Sequence, residues 1–238
     1  MTDAHCHIPR AEARHFICDP MGAKPASPLG TIPKRDVFFK GWHPWFLEGF
    51  DRGALRAALS AEPCLGVGEI GLDRLRSREI PAQMSEAFAA QLEIAADFCR
   101  PVVLHGAKCW GEVVKACRPY LGRIPAFLFH GFSRSKGLLP EIEAMNGFIS
   151  FSPALLNDHA INYRELAKAV PERMLLVESD ATEETALSAP SASDVTAKLA
   201  ELRGLSNEAM AAVLEENADR FLGALSQPTT ISSTGKRT

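Results

Sequence analysis

Residues 64–107 read CLGVGEIGLDRLRSREIPAQMSEAFAAQLEIAADFCRPVVLHGA, and the succession of patterns in this stretch decides the fold. Cys64–Gly71 is a short apolar run bounded by turn residues, which predicts a buried strand. From Pro81 onward, Met84, Phe88, Leu92, Ala95 and Cys99 recur on one helical face, and Pro81 suits a first turn. Pro101–Gly106 is apolar again and carries His105 near its end. Strand, helix and strand in that order imply two parallel strands joined by a right-handed crossover.

The alternation extends in both directions. Further strands are expected at Thr2–His7, His15–Asp19, Val37–Trp42, Ala126–Phe132, Gly147–Ser152 and Leu175–Asp180. Helical stripes follow at Val113, Val114 and Cys117, and at Tyr163, Leu166 and Val170. Ser193 is read as the N-cap of a helix carrying Val195, Leu199 and Leu202. A last helix follows Ser206, with Met210, Val213, Leu214 and Phe221 inward. About eight parallel strands predict an α/β fold of the TIM (β/α) barrel type, one barrel over residues 1–225.

The start of the chain fits this scheme less well. Only Ile8–Arg14 separates the first two strands, short of the roughly 10–12 residues of a helical crossover. Pro20–Asp36 holds Gly22, Pro25, Pro28, Gly30 and Pro33 and reads as loop. The first two βα units are therefore expected to be shortened, with His15–Asp19 irregular or antiparallel. The polar tail at residues 226–238 is expected to be disordered.

Bulk properties narrow the function classes. The 238 residues are 46% hydrophobic and 23% charged, with a formal net charge of −3, ordinary for a globular protein. That balance argues against binding nucleic acid through global charge and leaves room for a local basic patch. No apolar run reaches the ~20 residues of a membrane span, and no secretory signal is readable, so no membrane association is expected. The six cysteines (Cys6, Cys18, Cys64, Cys99, Cys109, Cys117) lack C-x-x-C spacing and point to reduced thiols in the cytoplasm.

Ligand-type side chains recur at strand ends. Asp3, His5 and His7 alternate along the first strand and so share one face. Glu69, His105, His130 and Asp180 fall at or near the ends of later strands, which converge at one mouth of a barrel. Taken singly, an H-x-H pair reads equally as a polar strand end, and a histidine after an apolar run as a loop residue. Glu69 and Asp180 weigh more, because a carboxylate in an apolar strand needs a partner charge or a metal. Four histidines and two carboxylates exceed the needs of one catalytic ion and suit two divalent ions, Zn²⁺, Mn²⁺ or Mg²⁺, with a bridging carboxylate.

The segments DAHCH, GWHP, GVGEIGLD, QLEIAADFCRPVVLHGA, FHGFS, GFISFS and LLVESDA occur in this order, with ENADRFL near the end. In them the chain resembles the TatD-type metal-dependent deoxyribonucleases, among the amidohydrolase-like barrels. The resemblance implies that His5, His7 and Asp180 bind one metal, and that Glu69 bridges to a second held by His105 and His130. It implies a two-metal-activated water attacking phosphorus, with Asp180 and Glu69 as catalytic residues and Asp180 orienting or deprotonating the water. Asp3 and Glu178 are expected to support these ligands from behind. The family's ETD-x-P region reads ESDATEE here, adding Glu183 and Glu184, and its H-x-R reads HGAK, placing Lys108 where an arginine is usual.

Cations at the mouth suggest where phosphate is held. Arg74, Arg76 and Arg78 follow the Glu69 strand, and Arg134 and Lys136 follow His130; each reads equally as solvated loop charge. His43 in GWHPW is a candidate substrate contact or a turn residue. Trp42, Trp45 and Trp110 are candidates to stack a base or to fill the core. The expected function is a divalent-metal-dependent phosphodiesterase, an exonuclease on nucleic acid or a hydrolase of a small phosphodiester, with no obligate protein partner. The alternatives are an amide or ester hydrolase on the same barrel and a non-catalytic binding barrel.

Overall fold

The computed structural model describes residues 1–10, 13–22, 36–62, 66–133 and 136–223. Along the chain run β1 (Thr2–Cys6), β2 (Arg14–Pro20), β3 (Val37–Gly41), α1 (Arg52–Ala61), β4 (Gly66–Asp73) and α2 (Ala82–Asp97). There follow β5 (Val102–Ala107), α3 (Trp110–Cys117), β6 (Phe127–Phe129), α4 (Leu139–Ala144), β7 (Gly147–Phe151) and α5 (Ile161–Ala169). The chain ends its described course in β8 (Leu175–Val177), α6 (Ala192–Arg203) and α7 (Asn207–Gly223).

The eight strands form one sheet in chain order, each parallel to its neighbour. The segment after β8 meets β1: the Ser179 N–H donates to Asp3 Oδ1 (2.9 Å), the Asp180 N–H to the His5 carbonyl (3.1 Å) and the His7 N–H to the Ala181 carbonyl (2.9 Å). With its two edges joined, the sheet is the TIM-type barrel the alternation predicts.

The expectation of an irregular or antiparallel second strand is corrected. β2 runs parallel to both β1 and β3. The reason is length: among the described residues of the connection, 7–10 and 13, none is helical, and seven residues reach up to ~3.3–3.6 Å each, enough to retrace a five-residue strand. Of the loop read at Pro20–Asp36, residues 23–35 lie outside the described residues, as does the tail at 226–238.

Two bulges set the register where the histidines and carboxylates lie. Between Asp3 and Cys6, three steps of β1 span two of β2, and between Val67 and Ile70, three steps of β4 span two of β5. A bulge bends its strand and re-aims the extra side chain. Glu69 accordingly sits in the middle of β4, not near its end as read from the sequence. β4 and β5 also approach closely at Gly71, where a Cβ would lie 2.0 Å from the His105 carbonyl oxygen.

The apolar residues divide into layers. Between strands and helices lies a large cluster that takes in Phe88, Leu92, Val113, Tyr163, Leu199 and Leu214. Inside the barrel, Phe16, Phe39, Val103, Leu128, Phe148 and Leu176 pack around Phe221 of α7. The Phe221 ring centroid is 5.5 Å from those of Phe16 and Phe148 and 6.0 Å from that of Phe39. Beside it the Asn217 Nδ2 donates to the carbonyls of Glu172 (2.7 Å) and Leu175 (2.8 Å), so α7 plugs the end of the barrel remote from the histidines. Val213, read as inward, is half-buried.

Side-chain caps mark the starts of α1, α6 and α7. Ser191, not Ser193, is the N-cap of α6: its Oγ accepts from the Asp194 N–H, and the Asp194 carboxylate accepts from the Ser191 N–H, a full capping box. Ser206 Oγ accepts from the Ala209 N–H (3.1 Å) at the start of α7. Asp51 does the same for Gly53 (2.7 Å) at the start of α1.

Candidate active site

Glu69 is the hub of the site. It is buried, and its two oxygens face different groups of histidines. Oε1 lies 2.6 Å from His105 Nδ1, 2.6 Å from His130 Nε2 and 3.6 Å from His43 Nε2. Oε2 lies 3.4 Å from His5 Nε2 and 3.6 Å from His7 Nε2. Burial raises the carboxyl pKa, but His130, His43, His5 and the hydrogen bond from His105 outweigh it and hold Glu69 ionised, well below the usual range.

Asp180 completes the ring from the far side of the barrel seam. Its Oδ1 lies 3.5 Å from His5 Nε2, and its side chain is 47% exposed. The backbone there is left-handed (φ 50°), which turns the carboxylate off the line of β8. Among the described residues, three overlapping groups have ligand atoms close enough to share an ion: His5, His130 and Asp180; His5, His7 and Glu69; His43, Glu69 and His105. All six residues expected to bind metal are thus brought together, and His43, read only as a substrate contact or turn residue, joins them.

The donor set fits divalent ions. His5 is 0% exposed, and among the described residues neither ring nitrogen makes a well-formed hydrogen bond, Nε2 having only the Glu69 and Asp180 carboxylates at 3.4 and 3.5 Å. A buried imidazole without partners is costly unless something absent from the chain satisfies it. Burial and the neighbouring His130 push the His5 pKa down to about 4 against the pull of Glu69, leaving a neutral ring with a free lone pair. The His7 Nδ1–H donates to the Cys18 carbonyl (2.9 Å), which leaves Nε2 directed at Glu69.

Behind these side chains stand others that hold them. His130 Nδ1 lies 3.5 Å from Glu178 Oε1, and the Ser150 hydroxyl donates to the other Glu178 oxygen. Burial pushes the Glu178 pKa up to about 7 against the pull of His130. Asp3 accepts the Ser179 N–H beside Asp180. Cys6 points to the opposite side of β1 and packs with Ile8, Ile17 and Ala181. The sequence alone does not single out Asp73. It ends β4, is buried, and its Oδ2 lies 2.8 Å from His105 Nε2. The signal was present in GEIGLD, but an aspartate after Gly-Leu reads as a turn residue.

A cavity of about 540 Å³ opens beside the cluster, lined in part by His105, His130, Asp180, Lys108, Leu75 and Trp110. Lys108, which stands where the family usually has an arginine, is thus part of the cavity wall. Arg74 is engaged by Glu112 at 2.6 Å. The Arg76 guanidinium lies 3.9 Å from the centroid of Trp45. Arg134 lies outside the described residues. Glu183 and Glu184 are exposed on the chain following Asp180. Trp42 and Trp110 are 4% exposed and belong to the core, whereas Trp45 is 38% exposed at the rim.

The profile of the family described as TatD related DNase matches residues 29–223. The 3'-5' ssDNA/RNA exonuclease TatD of Klebsiella pneumoniae (strain 342) is 33% identical over 125 residues, 52% of this chain and 48% of that protein. The protein of the same name from Escherichia coli (strain K12) is 30% identical over 125 residues, again 52% and 48%. The matched stretch spans about half the length of these relatives. Among solved structures, YJJV, a TatD homolog from Escherichia coli K12, superposes with a TM-score of 0.74 at 20% identity over 92% of this chain and 96% of that one. A TatD family hydrolase from Entamoeba histolytica gives 0.63 at 14% identity over 79% and 75%. At these identities the structures share the fold. His5 and His7 precede the residues the family profile matches, and the closure of the barrel is what carries them to Glu69 and Asp180.

Proposed function

We propose, from the premise that this chain belongs to the TatD related DNase family, that its barrel is a divalent-metal-dependent phosphodiesterase acting on the ends of single-stranded nucleic acid. The observation that carries this reading is the division of histidines by Glu69, His5 and His7 on one oxygen and His43, His105 and His130 on the other. A carboxylate so placed suits a bridge between two ions, one held with His5, His7 and Asp180, the other with His105 and His130. Bound there, divalent ions supply Lewis-acid polarisation of the phosphodiester and activation of water.

The chain's own residues do the remainder. Asp180 reaches both the cluster and the cavity, so its carboxylate orients the attacking water and accepts its proton. Lys108 at the cavity wall and Arg76, next in sequence to Leu75 of that wall, offer charge to phosphate oxygens. Arg74 serves less directly, because Glu112 already neutralises it. Asp3, Asp73 and Glu178 hold the ligands in place. The whole barrel, residues 1–225, acts as one unit.

The relatives named as exonucleases support nucleic acid as substrate. A cavity of about 540 Å³ is of the size that takes one nucleotide. Work in the cytoplasm is supported by the five described cysteines, all free. No helix among the described residues is long and apolar enough to cross a membrane.

The test is a screen of purified protein supplemented in turn with Mn²⁺, Mg²⁺ and Zn²⁺, against a fluorogenic phosphodiester, single-stranded DNA, RNA and small amides. Release of nucleotides from single strands is the expected result. Turnover of amides with inert phosphodiesters favours the acyl alternative. Absence of bound ion and of all hydrolysis favours the non-catalytic barrel.

A further inference from the structure

Three of the seven exposed large apolar side chains among the described residues, Trp45, Phe46 and Leu75, sit on the two loops that flank the site between β3 and α2. Exposed aromatics at the rim of a polar site are costly to keep in water and suit a flat apolar ligand. Their placement is not loose. The Trp45 backbone N–H donates to His43 Nδ1 (3.1 Å). The Trp45 ring centroid is 5.0 Å from that of His43 and 6.2 Å from that of His105. The indole is therefore fixed one ring away from the Glu69 cluster.

Arg76 adds the second half. Its guanidinium lies 3.9 Å from the centroid of Trp45, and among the described residues it has no carboxylate partner, in contrast to Arg74 with Glu112. A guanidinium plane over an indole is a stacking surface with a positive charge at its edge. Resting on the proposed phosphodiesterase reading, we infer that Trp45 and Arg76 form a shelf on which the unpaired base next to the scissile phosphate stacks. The phosphate then lies over the Glu69 cluster, one sugar away from the base. The shelf selects unpaired strands, because a base within a duplex has no free face, and it tolerates every base, because each has one. Glu183 and Glu184, exposed on the chain that follows Asp180, disfavour a polyanion there, so the strand approaches over the Arg76 side.

Trp45 is the exposed tryptophan of the three, so its fluorescence reports on the shelf. The metal-loaded protein is titrated with two phosphorothioate hexamers of equal charge, one of thymidine and one abasic. The thymidine hexamer is expected to quench the exposed tryptophan saturably and to bind at least about tenfold more tightly than the abasic one. In steady-state hydrolysis of hexathymidylate, Trp45→Leu and Arg76→Lys are expected to raise KM by about tenfold with a smaller change in kcat, and Trp45→Phe to restore KM. Equal binding of the two hexamers overturns the shelf while leaving phosphodiester hydrolysis standing. A loss confined to kcat in Trp45→Leu, not recovered in Trp45→Phe, also overturns it and leaves Trp45 a support for the His43 and His105 rings. Binding of neither hexamer, with no hydrolysis of any phosphodiester, overturns both readings together.

Discussion

His105 is held between two carboxylates: Nδ1 lies 2.6 Å from Glu69 and Nε2 lies 2.8 Å from Asp73. With Nε2 donating to Asp73, the Nδ1 lone pair is left for an ion, the arrangement by which a carboxylate fixes the tautomer of a ligating histidine. Asp73→Asn is expected to weaken metal binding by about 10–100-fold while the barrel stays folded. Metal titration by calorimetry, with circular dichroism as the control for folding, measures this; unchanged affinity would remove Asp73 from the site.

Asp180→Asn keeps the shape of the side chain and removes its negative charge and its capacity to take a proton. Hydrolysis is expected to fall by about 10²–10⁴-fold. Because the side chain is half exposed and outside the packed layers, the melting temperature should stay within a few degrees of the parent. Single-turnover kinetics on the metal-loaded variant separate this loss from a failure to bind substrate.

Ions that bind the folded chain must stabilise it. At a concentration 100 times the dissociation constant the gain is about 2.7 kcal/mol, or ~5–10 °C in melting temperature for a chain of this size. Thermal melts after chelation and after return of Mn²⁺ or Zn²⁺ test this, and coincident melts would speak against a site built from His5, Glu69 and Asp180.

The plug at the opposite end is a separate matter. Phe221→Ala removes a ring packed against Phe16, Phe39 and Phe148 and should cost about 3–5 kcal/mol. Urea denaturation reads the loss directly. A cost below 1 kcal/mol would mean that α7 does not close the barrel.

Much of this was legible in advance because two simple periodicities do most of the placing. Ligand-type residues at the ends of apolar strands converge in a parallel barrel, so His5, His7, His105, His130 and Asp180 were readable. What escaped depended on contacts between distant segments. The parallel course of β2 was hidden because crossover lengths presume a helix, whereas an extended return is shorter. The mid-strand position of Glu69 follows from a bulge against β5, and a bulge is a property of two strands rather than one. Arg74 looked free because Glu112 lies on α3, beyond an intervening helix and strand. Asp73 acquires meaning only from His105, on the neighbouring strand.

The seam between β1 and the chain after β8 has a consequence for biosynthesis. His5 leaves the ribosome roughly 10–35 s before Asp180 at usual elongation rates. During that interval Glu69, His105 and His130 also emerge, but until the barrel closes the nascent chain offers an ion separate fragments of the binding site rather than the assembled cluster. Tight capture must wait until the Asp180 N–H finds the His5 carbonyl. Metal loading is thereby tied to completion of the barrel, and an unfinished or misclosed chain remains a poor competitor for the cell's ions.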